Sequence, residues 1–258
     1  MSSYRVKDIE SGEQDPLYVS ESEKSLLTHA EDEIRRGFAS KVMSIVTIQF
    51  LFTAALTCIP FLSQEVYDAV KPHAIVAGAI GGFFVIIASC IRCCSNVERK
   101  YPWNYIFLSL FTLGFSCVVQ ASAMRWLPQE KFSGLVLIFA AVIAMTVGLA
   151  VIAKISTFDF TGLAPYLLLL LIGSSVFGLT FVLAGFDDNR VFIGLGVVSV
   201  LIVFGYMLVI LQAIVKGDGK YAYQVDDYVI AANDLYVMMV RLVLELIQLY
   251  ALRGNIRR

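Results

Sequence analysis

Histidine is nearly absent from this sequence. His29 and His73 are the only two in 258 residues, whereas zinc hydrolases gather about three histidines or equivalent ligands round the ion. No HExxH pair, glycine-rich phosphate loop or nucleophile elbow stands in their place. The reading is therefore a non-enzyme without a cofactor. Charge is scarce as well: Asp, Glu, Lys and Arg make up 16% of the chain against 58% hydrophobic residues, and the mean hydropathy is +0.76. A soluble domain of this length cannot bury so much apolar surface, while lipid accepts it. The net charge of −1 offers no basic excess, and no nucleic-acid partner is expected. Alternating apolar and polar residues in runs of about ten, the mark of a membrane barrel, are also missing.

What is present is long apolar runs. Windows of about 18 or more uncharged residues mark membrane-spanning helices. Six such windows occur, at Val42–Leu62, Ala74–Ile91, Trp103–Met124, Phe132–Ala153, Thr161–Gly185 and Val191–Val215. A seventh and weaker one, Tyr228–Leu252, carries charges in its interior. The fold class predicted is an all-α integral membrane protein, a bundle of seven helices with the lipid bilayer as its first partner. Its domain plan is an acidic cytosolic tail over 1–38, a membrane domain over 39–252 and a basic tail over 253–258.

The tail is polar, with nine acids in residues 1–33 against Arg5, Lys7 and Lys24, and it lacks the form of a signal peptide. Residues 1–20 read as disordered. From Glu21 to Phe38, Leu27, Ala30, Ile34 and Phe38 share one helical face, which suits either an interfacial helix or a solvated linker. Lys and Arg alternate between the two sets of loops. Arg35, Arg36, Lys41, Arg92, Arg99, Lys100, Lys154, Lys216 and Lys220 fall on one side, and Lys71, Arg125, Lys131 and Arg190 on the other. The positive-inside rule then puts the N-terminus in the cytosol. Arg253, Arg257 and Arg258 follow the seventh window on the poorer side, so that helix either spans, which is favoured, or enters and returns.

Of the five cysteines, Cys90 and Cys93 form a CxxC without further ligands nearby. Cys93 and Cys94, at the cytosolic end of the second helix, are candidates for palmitoylation, with simple membrane-edge packing as the alternative. Cys58 and Cys117 read as packing residues. Gly78 with Gly82, and Ser174 with Gly178, are small residues four apart that let helices approach closely. Gln49, Gln120 and Gln212 lie in helix interiors, where an unpaired amide is costly. They either bond across helices or line a polar path.

The seventh window concentrates the charge. Asp234, Met238, Arg241 and Glu245 fall on one narrow helical stripe. Charged groups at membrane depth cost about 2.5–3.5 kcal/mol each or more, so they seldom face lipid. Either Asp234 is interfacial and Arg241–Glu245 an internal clasp, or the stripe borders a water-filled ion route with Gln212 and Gln49 as further lining residues. A retinal protein would need a lysine in this window, and there is none. Receptor-type seven-helix proteins stay open on hydropathy alone, without a visible motif.

Several motifs in order resemble the transmembrane Bax inhibitor motif (Lifeguard) family. "IRRGFASKVMSIVTIQFLFT" supplies Arg35, Phe38, Lys41, Val42, Gln49 and Thr53 at the spacing of the family's first motif. "KYPWN" is similar to the loop before its third helix, and "DFTGLAPYL" to its Asp-Phe-x-x-Leu-Gly segment. "DDYVIAANDLYVMMVRLVL" is similar to its last-helix motif. The likeness runs from residue 35 to about 250, and the head, "DIESG" then "PLY", resembles plant members. The resemblance implies a seven-helix protein of internal membranes (endoplasmic reticulum, Golgi or vacuole) that regulates cell death and stress responses, with calcium ions and cell-death regulatory proteins as partners. It also implies a calcium leak gated by two aspartates that share a proton. Those two positions are Ile210 and Met238 in this chain, so the implied latch lacks both carboxylates and the pH mechanism does not carry over. A polar site rebuilt as Asp234, Arg241 and Glu245, passing calcium weakly, is the expectation; a non-conducting regulator is the alternative.

Overall fold

The computed structural model describes residues 21–94, 101–183, 189–217 and 223–256. The disorder expected of residues 1–20 falls outside them. Two units are distinguished, Met1–Ile34 and Arg35–Arg258. In the first, Glu31, Asp32, Glu33 and Ile34 are exposed helical residues. The second holds the membrane bundle.

Every long element is a helix: α1 (Glu21–Cys58), α2 (Gln64–Cys94), α3 (Trp103–Trp126), α4 (Phe132–Ile155), α5 (Ala164–Leu183), α6 (Asn189–Val215) and α7 (Tyr228–Ile256). Short 3₁₀ turns precede α2, α4 and α5. No strand occurs among the described residues, as the absence of alternation requires. In lipid a backbone must satisfy its own hydrogen bonds, and an unbroken helix does so. α1 continues without a break through Phe38–Val42. α2 starts ten residues before the apolar window at Ala74 and carries Pro72 inside it.

Among the described residues six helices are long and apolar enough to cross a membrane, namely α1 to α4, α6 and α7. The seventh window, expected to be the weakest, has the lowest mean hydropathy of these six, 1.7. The shorter apolar helix is the fifth, Thr161–Phe177 within the described side chains, and the charged seventh passes. The protein is a multi-pass, all-α membrane protein.

α7 is the centre of the bundle. Half of its most apolar stretch is buried, against 11% for α2. It packs chiefly on α6 and α3, with α4 beside it. Ala231, Ala232, Leu235, Tyr236, Val240, Leu242 and Ile247 are wholly buried. α2 instead presents Ile75, Val76, Ile80, Phe83, Phe84 and Ile86 outward, as a helix bathed in acyl chains should. The helix that carries the charges is thus the most enclosed of the six.

Helices α2 and α3 approach each other closely. A methyl group on Gly81 would lie 2.6 Å from the Gly114 carbonyl oxygen and 2.8 Å from Cys117 Cβ. Gly78 is blocked likewise by Ala121, whereas Gly82 has nothing nearer than 3.9 Å. The small-residue seam thus runs through Gly78, Gly81 and Gly114, and not through Gly82 as the four-residue spacing suggested. The buried Tyr67 hydroxyl donates to the Leu127 carbonyl at 3.0 Å, fastening α2 to the turn after α3.

Candidate functional site

Polar groups inside the bundle gather at three places, all of which involve α7 or its neighbours. The first lies near the start of α7. Asp234 Oδ1 is 2.6 Å from Arg92 Nη2 at the end of α2. Its other oxygen accepts the Tyr223 hydroxyl at 2.9 Å from the segment between α6 and α7. Burial raises the Tyr223 phenol above its ordinary range, and the negative charge of Asp234 raises it further, so it stays a donor. Arg35 on α1 holds the same segment in place, donating to the Tyr223 carbonyl at 3.0 Å and to the Ala213 carbonyl at 2.8 Å. Arg35 also packs against Gly217, whose φ of 68° suits glycine. Beside Asp234, Asn233 is fully buried. Neither its amide nitrogen nor its oxygen has a hydrogen-bond partner.

The second place is a cleft of about 460 Å³ among α5, α6 and α7. Seven residues beyond Asp234, about 10 Å along the helix, Arg241 reaches across to α5. Its Nη2 donates to Ser175 Oγ at 2.9 Å. Its Nε is 3.9 Å from Glu245 Oε1, a loose pair, and has no hydrogen-bond partner. Glu245 Oε1 accepts instead from Ser199 Oγ on α6 at 2.6 Å. Gln248 also borders the cleft.

Between these two places the interface is apolar. Ile210 and Met238, the two positions that lack the latch carboxylates, are 4% and 8% exposed. They belong to the same buried cluster as Met207, Leu211 and Leu242. So the stripe of Asp234, Met238, Arg241 and Glu245 is divided: Asp234 faces α2, Arg241 and Glu245 face α5 and α6, and a hydrocarbon layer lies between.

The third place is a buried knot joining α1, α3 and α7. Thr53 Oγ1 lies 2.9 Å from Ser116 Oγ and 2.7 Å from the Tyr236 hydroxyl. Gln49 Nε2 donates to Thr112 Oγ1 at 2.7 Å. Tyr236 and Asn233 were not singled out in the sequence. The signal for the knot was there all the same, in polar residues one turn apart on each helix: Gln49 with Thr53, and Thr112 with Ser116.

Gln212 lies elsewhere than the stripe. Its amide accepts from the Phe160 N–H at 2.7 Å and donates to the Phe158 carbonyl at 2.6 Å, capping the loop before α5. Gln120 donates to the Leu56 carbonyl at 3.1 Å. The α2 backbone reaches Cys94, but the Cys93 and Cys94 side chains lie outside the described residues. Cys58 and Cys117 are free thiols of intermediate burial. No group of three or more His, Cys, Asp or Glu able to hold a metal ion occurs among the described residues.

A bundle whose most polar helix is also its most enclosed defines a multi-pass membrane protein with an internal polar site. The comparisons narrow this class. The profile of the family described as "Inhibitor of apoptosis-promoting Bax1" matches residues 35–255, and the chain belongs to that Bax inhibitor (Lifeguard) family. It is 30% identical to Protein LIFEGUARD 4 of Arabidopsis thaliana over 96% of both chains. With Protein LIFEGUARD 2 of the same plant the identity is 29%, over 94% of this chain and 95% of the relative. Protein lifeguard 3 of Homo sapiens is 24% identical over 84% of this chain and 69% of its own length.

Proposed function

We propose that the chain regulates cell death and stress responses from an internal membrane, with its N-terminus in the cytosol, and does so by leaking calcium along the polar face of α7. The observation that carries this reading is that the polar residues of that face bond across to other helices. Asp234, Arg241 and Glu245 bond to other helices, and Asn233 is buried with both amide ends unbonded. A buried amide left open in a membrane bundle is a natural stop for water or a hydrated ion. Calcium prefers oxygen ligands, and these helices offer it few, which suits passage rather than tight holding.

On this reading the arrangement of these residues corresponds to a closed state. Arg92 and Tyr223 clasp Asp234, and Ile210, Met207 and Met238 fill the layer below. Since neither latch position carries a carboxylate, no proton can be shared there. The flux should therefore lack a steep step between acidic and neutral pH. A second reading, a non-conducting regulator that works through protein partners, is favoured by the same apolar occupancy of both positions.

Calcium flux into liposomes separates the two. Under the first reading the wild-type chain leaks, with little change across pH, and Ile210→Asp with Met238→Asp introduces a pH-dependent step. No flux from the wild type or from Arg92→Ala, in vesicles where the protein is shown to be folded, rejects the leak and leaves the regulator.

A further inference from the structure

Arg241 and Glu245 bring opposite charges into the cleft among α5, α6 and α7, and neither is used up by the other. Arg241 Nη2 donates to Ser175 Oγ, while Nη1 makes no hydrogen bond and is accessible. Glu245 Oε1 accepts from Ser199 Oγ, while Oε2 is likewise unbonded and accessible. Their contact, Nε to Oε1 at 3.9 Å, is too long for a hydrogen bond. Each charge is therefore anchored by a serine from another helix and keeps one face for a ligand.

The cleft, of about 460 Å³, falls in the range of small-molecule sites, about 300–1,000 Å³. Phe192, Leu195 and Leu244 give it apolar walls. The Ser174 and Ser199 hydroxyls already donate, to the Leu171 carbonyl and to Glu245, so toward a ligand their oxygens can only accept. Arg241 is the one cation, and Glu245 the one carboxylate, among the described residues that line it.

This charge pattern selects a ligand. A lone anion on Nη1 would be repelled by Glu245, and a lone cation on Oε2 by Arg241. A molecule that carries an anion and a primary ammonium a few bonds apart meets both demands. A quaternary ammonium has no N–H to donate to Oε2, and Phe192 alone makes no aromatic cage for it. An acidic side chain on the ligand would find no second cation, and a basic one no second carboxylate. Depth decides between a solute and a lipid. Arg241 stands about 20 Å from each end of α7, whereas lipid headgroups keep to the bilayer surface. We infer that this cleft binds a neutral, apolar α-amino acid, with its carboxylate on Arg241 Nη1, its ammonium on Glu245 Oε2 and its side chain against Phe192, Leu195 and Leu244. The inference goes beyond the calcium leak and does not depend on it.

The test is titration calorimetry of the full chain in phosphatidylcholine nanodiscs with L-leucine and with its two halves. 4-Methylpentanoate keeps the carboxylate and lacks the ammonium; 3-methylbutylamine keeps the ammonium and lacks the carboxylate. Leucine is expected to bind at least about tenfold more tightly than either, the worth of one hydrogen bond between charged groups. Glu245→Gln should weaken leucine and tighten 4-methylpentanoate, because the anion is no longer opposed. Arg241→Gln should weaken leucine and tighten 3-methylbutylamine. A gain of binding cannot come from a misfolded variant, so these crossed changes separate the site from a loss of structure. No binding of leucine by the wild type, or binding no tighter than that of its halves, would overturn the proposal. So would a preference for leucine that survives both substitutions. Leucine binding that disappears when phosphatidylethanolamine replaces phosphatidylcholine would assign the charge pair to a lipid headgroup and overturn it as well.

Discussion

The contact between Arg92 and Asp234 can be weighed directly. Asp234→Asn keeps the shape of the side chain and removes its charge. The geometry lost is a charge-assisted pair at 2.6 Å, while the Tyr223 hydroxyl at 2.9 Å can still donate to the amide oxygen. Hydrogen bonds to charged groups are worth about 1.5–3 kcal/mol in protected sites, and exposed ion pairs about 0.2–1 kcal/mol. The two side chains are 29% and 26% exposed, so the coupling should fall between, near 1.5 kcal/mol, or roughly a twelvefold equilibrium change. A double-mutant cycle of Arg92→Met and Asp234→Asn, read as unfolding stability in detergent micelles, measures it. The sign of one comparison is decisive. Either single substitution already removes the same contact, so the double variant should lose less stability than the two single variants summed. A coupling below about 0.3 kcal/mol, the level at which independent sites add, would refute the clasp.

Two further outcomes follow from the packing and the loops. Gly81→Ala is expected to destabilise the bundle by about 1–3 kcal/mol, since backbone rather than a flexible side chain meets the new methyl. Gly82→Ala should be close to neutral, and thermal unfolding of the two variants side by side checks both. The Asp159 carboxyl is held below its ordinary range by the Thr161 hydroxyl and N–H, with Lys216 contributing less. Because its folded value is depressed, whatever it adds to loop order is present at neutral pH and is lost as pH falls through that lowered value. Amide exchange of the segment 156–163 across acidic pH should show this loss, and Asp159→Asn should remove the pH dependence.

Much of the bundle could be read from hydropathy, because each apolar run in lipid has only one way to satisfy its backbone. The partners that let α7 settle among its neighbours could not. A window average treats Asp234, Arg241 and Glu245 as penalties, yet it cannot know that Arg92, Ser175 and Ser199 come from other helices to meet them. The common stripe on α7 was a matter of helical period, and its division between two sets of neighbours was not. The role of Gln212 was hidden for the same reason, since its partners at Phe158 and Phe160 belong to a loop more than fifty residues away. Gln49 and Gln120 were more transparent, because a buried amide in a membrane must find something and the nearest helices are few. Family motifs marked Arg35 and Thr53 but not what they do. The first pins the approach to α7, and the second joins three helices.

The Thr53–Ser116–Tyr236 junction bears on how the chain is made. A ribosome delivers α7 after α1 to α6, and it is the least apolar of the six spans. The threonine and serine that receive its tyrosine, and the arginine that neutralises its aspartate, are already in the bilayer by then. Synthesis order therefore matches need: earlier spans form a socket, and α7 is taken up by it.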